Sequence, residues 1–585
     1  MDNSILPNQQ NDGTTIKNNP SITQRIGKYW FHYVVVIPAM LLILIFKIIP
    51  FIYAVYLPFT NYQVTRGIFN SQWVGLQNFN KLFANPNFRN VLSNTLAIKL
   101  EFVFFTAIVS LILALALSSI RSSKLRNIFA TFFLIPFFIP SAVLASVLIY
   151  MFSPSGSPVF KLDALVLTDP AYFRLILVGA EVLKTAGIPI ALALAAICSK
   201  HSQIIIEGDD APNIEANFTK TNIIPAVKAI TAFMILQFSS ILSTDFELIF
   251  SLYNPLVYKV ADTLDTYAYR IGLLNTQFSM AGAIWFLQFC VQLLATLTAY
   301  FLLRNVFANS IFSKNAVNEE IRSGDVVKNS GGIIISLLYS ALLFLPLYIL
   351  FIYPFITKSQ FNGSIFSVIP LGHVVGYVII YVVTVVISLF ITVTLAYPLT
   401  VKDLPGRTLY KVFLLAVIVM GAGSIIHEYF LTRALGMINT FFPQMIYGLF
   451  PILQVFVLKG FFNSRYSDLK QKTSNEGKGE VHSFFTIFLP KVWRPLLGLG
   501  VLQFVSLWNS FYPALVYSTN PKMYSPILLF RSIMSGASLQ VMKNNPGDPI
   551  ILKVGALICI PSILLFLVFR KFITSEVFIS QTRKL

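Results

Sequence analysis

The stretch EGKGEVHSFFTIFLP, residues 476–490, interrupts a chain that otherwise reads as apolar helix. It is charged, carries two glycines and ends at a proline. Val481, Phe484, Phe485 and Phe488 recur at helical spacing and give one apolar face to a short, otherwise polar peg. An apolar face left in water has to be covered, and a helix presented to a groove is a common way to cover it.

Around the peg, the 585-residue chain is 56% hydrophobic and only 11% charged, with a mean hydropathy of +0.73. So few charges imply an all-α polytopic membrane protein. Apolar runs of about 20 residues, the length that crosses a bilayer, occur near 32–57, 95–119, 127–152, 172–198, 223–251, 277–303, 332–356, 370–399, 409–432, 440–460, 492–517 and 549–570. These predict about 12 transmembrane helices. The net charge of +19 punctuates the apolar runs, as anionic lipid requires, and points to membrane lipid and not to nucleic acid. Cys198, Cys290 and Cys559 are far apart within apolar runs and read as small buried hydrophobes, so no disulfide framework or metal site is expected.

With the N-terminus inside, the basic residues fall on cytoplasmic loops: Arg121, Lys124 and Arg126; Lys200 and Lys220; Arg304 to Lys328; Lys402 to Lys411; and Arg465 to Lys478. Loops 153–171 and 357–369 are nearly free of them. The expectation is a multi-pass protein of the cell membrane with both termini and the peg cytoplasmic. Residues 1–31 read as a cytoplasmic tail, 32–303 and 332–570 as two homologous six-helix transmembrane halves, 304–331 as the cytoplasmic linker, and 571–585 as a second tail.

The halves repeat one another in register. Pro225 lies 29 positions before Asn254, and Pro490 lies 30 before Asn520. Each Asn-Pro is followed, after two intervening residues, by a tyrosine, Tyr258 or Tyr524. Each half thus carries a peg, between its fourth and fifth spans.

The second peg resembles the cytoplasmic coupling loop of binding-protein-dependent ABC importer permeases of the sugar and polysaccharide type. Gly477, Phe484, Ile487, Leu489 and Pro490 match at that family's spacing, and Glu476 stands where the family has aspartate. The segments YVVVIPAMLLILIFKIIPFIYAVYLPFTNY and LSTDFELIFSLYNPLVYKVADTLDTYAYRIGL look like one permease subunit, and WNSFYPALVYSTNPKMYSPILL like its partner. The chain therefore resembles two permease subunits fused. There are departures. Gln471, Lys472 and Thr473 replace the Glu-Ala-Ala of the pattern, and Pro212 takes a glycine position in the first peg. Proline fixes φ where glycine would permit a turn, so the first peg cannot copy the family's backbone there.

The resemblance implies a carbohydrate importer's permease that docks two separate ATPase subunits and receives solute from an extracellular solute-binding protein. It implies docking through Gly477, Phe484, Phe485, Ile487 and Pro490, and through Glu207, Phe218 and Pro225 in the first half. No G-x-x-x-x-G-K-[ST] phosphate loop occurs, so ATP is expected to be used by the partner subunits, with no cofactor, catalytic residue or metal in this chain. Asp245 and Glu247 follow Pro225 by about 20 residues, as Trp508 and Asn509 follow Pro490, which at 1.5 Å per residue sets both pairs about 30 Å up their helices. These four are the expected substrate-path residues, since intramembrane ionisable groups often line a path. Glu181 and Lys184, three apart, are expected to pair, and Lys47 to snorkel. The competing readings are an ion-gradient-driven secondary transporter and a degenerate permease acting as receptor or scaffold.

Overall fold

A computed structural model of the chain describes residues 22–154, 159–207, 218–306, 330–359, 363–401, 403–420, 425–475, 479–535, 548–573 and 575–578. Most of the expected linker, together with Pro212, Glu476 and Gly477, lies outside these residues.

In the first half, α1 (Trp30–Phe59) leads into a hairpin of β1 (Thr60–Gln63) and β2 (Gly67–Trp73). There follow α2 (Pro86–Ser118), α3 (Ser123–Phe138), α4 (Ser141–Met151), α5 (Pro170–Thr185) and α6 (Gly187–Glu207). Then come α7 (Thr219–Phe238), the short α8 (Phe246–Leu252) and α9 (Leu264–Tyr269), and α10 (Phe278–Val306). The second half has α11 (Ser330–Phe351), α12 (Leu371–Thr400), α13 (Arg407–Met420), α14 (Ile425–Ala434) and α15 (Ile452–Asn475). It ends with α16 (Glu480–Asn509), α17 (Tyr512–Tyr517), α18 (Pro526–Met534) and α19 (Ile550–Phe572).

Among the described residues, eight helices are long and apolar enough to cross a membrane, and two bent pairs bring the number to ten. The pair α3 and α4 bends by 95°, and α5 and α6 by 43°. Each bend has a cause in the sequence. Ile139 precedes Pro140 and is driven into the extended region, at φ −88° and ψ 127°. At the second bend, a Cβ on Gly187 would sit 2.5 Å from the Phe133 carbonyl oxygen, so only glycine lets α6 cross α3. Two expected spans take another form. The run 409–432 falls on α13 and α14, with residues 421–424 between them not described. The run 440–460 is broken: a short helix, Phe442–Ile446, ends ahead of Pro451, and α15 starts only at Ile452.

The two halves share local geometry wherever the sequence repeats. Each peg enters its fifth span through one wide π turn, Thr219–Ile223 or Phe484–Phe488, just ahead of Pro225 or Pro490. Ile224 donates its amide to the Thr219 carbonyl, and Leu489 to that of Phe484, five residues back in both cases. A proline lacks the amide that a regular ladder needs, and a π turn takes up the mismatch. The Asn-Pro segments also fold alike. The Asn254 side chain accepts from the Leu256 amide at 3.0 Å, and Asn520 from the Lys522 amide at 3.1 Å.

The halves are interlocked. The first helix of each lies against the other half: α1 packs on α12 and α14, and α11 on α2, α3 and α4. One apolar core consequently draws on both, joining Phe102, Val143 and Phe246 to Tyr381, Trp508 and Phe530. Gly332 of α11 lies so close to α2 that a Cβ would come within 2.5 Å of the Ala116 carbonyl oxygen. Backbone cannot yield there as a flexible side chain would. Gly332→Ala is expected to lower stability by about 1–3 kcal/mol through overpacking. Thermal unfolding in detergent would read this as a lower Tm, and an unchanged Tm would refute so tight a seam.

Candidate functional site

The helix breaks converge. Phe137 before the first bend, Ser141 after it, Lys184 and Thr185 at the second, Asp245 and Glu247 beyond the end of α7, and Ser506, Asn509 and Ser510 at the end of α16 line one cavity of about 240 Å³ between the halves. Broken helices are tolerated at membrane depth where they border protein or a polar cavity, because lipid cannot satisfy the freed amides and carbonyls.

Side chains satisfy those breaks. Asp245 caps α8, accepting from the Leu248 amide at 2.9 Å through Oδ1. Its Oδ2 accepts from Lys184 Nζ and from the Ser141 hydroxyl, both at 3.0 Å, and Lys184 also donates to Ser141 Oγ. Glu247 reaches across to the second half. One of its oxygens accepts from the Ser510 hydroxyl at 2.6 Å and from the Phe511 and Tyr512 amides at 2.8 and 2.9 Å. It thereby supplies the first turn of α17 with the acceptor that local sequence does not provide. In return, Asn509 donates to the Phe138 carbonyl at the α3–α4 bend, at 3.2 Å, and accepts from the Ser562 hydroxyl. Glu181, 4% exposed, also lines the cavity, and its carboxyl accepts no hydrogen bond from a described residue. Behind it Lys99, fully buried, donates to Gln237 Oε1 at 2.8 Å.

Of the four expected path residues, the structure brings Asp245, Glu247 and Asn509 together and leaves Trp508 aside. Trp508 is 1% exposed, its indole N–H is spent on the Ile558 carbonyl, and Phe504 and Tyr381 cover its ring. No face is left for a sugar. The depth argument also needs correction for the first half. Residues 489–509 form one helix, but α7 stops at Phe238, and Asp245 is placed by the loop that follows. Two pairings differ as well. Lys184 bonds Asp245 and not Glu181, because a carboxylate with its own helix to cap sits opposite it. Lys47 does not snorkel: it is paired with Glu428 across the halves at 2.6 Å. Ser141, Thr185 and Ser510 belong to no sequence motif, yet they line the cavity. Each stands within three residues of a helix break inside an apolar run, and that is the signal by which such residues can be found.

The second peg turns its apolar face inward. Phe484, Ile487 and Phe488 lie three and one residues apart and are buried against Phe31, Tyr397 and Phe462. Glu480 locks the peg down. It contacts His32 at 3.0 Å and accepts from the Tyr397 hydroxyl at 2.7 Å, while His32 and Tyr397 stack at 4.5 Å. Phe485 stays 58% exposed, and Pro490 is exposed beside it. In the first peg Phe218 is exposed, Pro225 half-buried, and Glu207 is the last residue of α6.

No family model matches the chain. Among curated proteins, protein LplB of Bacillus subtilis (strain 168) is 27% identical over 292 residues, 48% of this chain and 90% of that protein. The polygalacturonan/rhamnogalacturonan transport system permease protein YteP of the same organism is 29% identical over 280 residues, 46% of this chain and 85% of its own length. Among solved structures, a bacterial alginate ABC transporter in complex with an alginate pentasaccharide-bound periplasmic protein aligns at 27% identity and a TM-score of 0.42, covering 48% of this chain and 97% of that one. The chain's relatives are transmembrane permeases of ABC carbohydrate importers. LplB and YteP each match about half of it, as a fusion of two such permeases requires.

The cavity's contacts are open to a double-mutant cycle. Asp245→Ala strands a largely buried ammonium and is expected to cost about 3 kcal/mol, whereas Asp245→Ala with Lys184→Met recovers most of it. Glu247→Ala, which orphans two amides and a hydroxyl, is expected to cost about 1–3 kcal/mol. Urea titration of the purified protein checks both, and additive losses for Asp245 and Lys184 would show that the pair is not coupled.

Proposed function

We propose that this chain forms the translocation path of an ATP-driven importer of oligosaccharides, with both permease halves in one polypeptide. The observation that carries the reading is the polar cavity set where broken helices of the two halves meet. A path gated by relative movement of the halves belongs at such a place. The homology to carbohydrate importer permeases supports it.

On this reading two separate ATPase subunits bind ATP and dock at the two pegs from the cytoplasm, where both termini also lie. An extracellular solute-binding protein delivers sugar to the opposite face. Phe485 and Pro490 on the second peg, and Phe218 and Pro225 on the first, offer the apolar contact, with Glu207 and Gly477 flanking it. Phe484 and Ile487 serve the docking indirectly, by seating the peg on the body. ATP-driven closure of the subunits then moves each peg, and the span fused to it, as a lever.

Phe485 and Phe484 separate docking from seating. In proteoliposomes holding the chain with its ATPase subunits, Phe485→Asp is expected to cut hydrolysis by about tenfold or more while Tm stays unchanged. Phe484→Asp buries a charge among Phe31 and Tyr397 and is expected to lower Tm itself. Full hydrolysis in Phe485→Asp would sink the docking assignment. Uptake driven by an ion gradient without ATP would replace the importer reading with a secondary transporter.

A further inference from the structure

The groups in the cavity that could hold an anion are already in use. Lys184 is committed to Asp245 and Ser141. The Leu248 amide at the start of α8 belongs to Asp245, and the Phe511 and Tyr512 amides beside α17 belong to Glu247. The Asn509 amide group is held by the Phe138 carbonyl. An arriving carboxylate would find these donors occupied by the protein's own carboxylates.

The charge count agrees. Three carboxyls, Glu181, Asp245 and Glu247, line the cavity against one ammonium, Lys184. With all of them ionised the cavity is negative. With Glu181 and Glu247 neutral, the Lys184–Asp245 pair leaves it uncharged, and behind it Lys99, whose charge acts on Glu181, is offset by Asp265. In neither state is it positive, so an anionic solute meets like charge or nothing that offsets its desolvation. Acceptors, by contrast, are in surplus. The buried Glu181 carboxyl makes no hydrogen bond to a described residue, and Lys99, a cation whose charge acts on it, donates to Gln237 instead. A hydroxyl donating to a carboxylate makes one of the stronger hydrogen bonds available.

We infer that the path is built for uncharged, hydroxyl-bearing oligosaccharides and discriminates against uronates, with Glu181 the specificity-determining acceptor. This rests on the reading of the cavity as the solute path.

The test uses the full chain in lipid nanodiscs, titrated calorimetrically with two neutral probes, maltotriose and xylotriose, and with trigalacturonate. At least one neutral sugar is expected to bind about tenfold or more tightly than trigalacturonate, a difference of about 1.4 kcal/mol. Glu181→Gln, at unchanged Tm, is expected to weaken the neutral sugar by about tenfold. Trigalacturonate binding as tightly as the neutral sugars, in the wild-type protein, overturns the inference and leaves the solute path standing. Neutral binding unaffected by Glu181→Gln overturns the role of Glu181. No binding of any of the three removes the solute-path reading itself, and this proposal with it. The wild-type comparison decides the charge question even where Glu181→Gln fails to fold.

Discussion

Glu247 caps a helix that belongs to the other half of the molecule, and the rest of the structure depends on contacts of that kind. A helix broken inside a bilayer exposes amides and carbonyls that lipid cannot bond. The end of α16 is such a break, and a carboxylate from α8 supplies its acceptor. The bend between α3 and α4 is another, and Asn509 of α16 supplies its donor. Each half thus completes the other's interrupted span. Neither could be inserted alone without leaving a buried polar group unmet, at a cost comparable to a lost hydrogen bond or more. The exchange of α1 and α11 repeats the arrangement with apolar surface. Fusing the halves into one polypeptide suits this architecture, because the second half always meets its partner.

The same contacts define where a path can open. The cavity lies along the seam, at the level where four helices change direction, and its walls are the capping residues themselves. Separation of the halves there would expose Glu247 and Asn509 together, turning backbone-satisfying groups into solute-facing ones. Lys184 and Asp245 lie within the first half and would keep each other. The seam therefore contains one set of polar contacts that spans the halves and another that lies within one half.

Much of this was legible in the sequence, and what was not has physical reasons. Composition and run length reported the membrane class and most spans, because burial in lipid is a composition-level constraint. The Pro225 and Pro490 repeats showed the duplication, and both prolines follow the same π turn, since a missing amide has the same consequence in each half. Run length alone gives straight spans through Pro140 and Gly187, although I-P-F-F-I-P-S and T-A-G-I-P carry the breakers. Hydropathy is blind to direction. Pairings were hardest. Lys184 and Asp245 are 61 positions apart, and Lys47 and Glu428 381 apart, so local spacing rules written for exposed helices could not find them. Trp508 was misplaced for a related reason: depth along a helix does not say which way a ring faces.

The second peg has a divided apolar face, and the division bears on how force would pass through it. Phe484, Ile487 and Phe488 sit in a core that includes Phe31 of the first half and Tyr397 of the second, while Glu480 is held by His32 and Tyr397 from those same two elements. A peg attached by its single span would swivel about its own loop. Clamped on two sides, and continuous through the π turn with the whole of α16, it has no freedom of its own. A displacement applied at exposed Phe485 would pass along α16, which carries Pro495 in its interior, toward the end where Asn509 and the Glu247-capped turn border the cavity. At 1.5 Å per residue, the helix from Phe485 to Asn509 is a lever of about 36 Å. Stiffness along that length, which close-packed interiors supply, is what a mechanical link between a cytoplasmic surface and an intramembrane cavity requires.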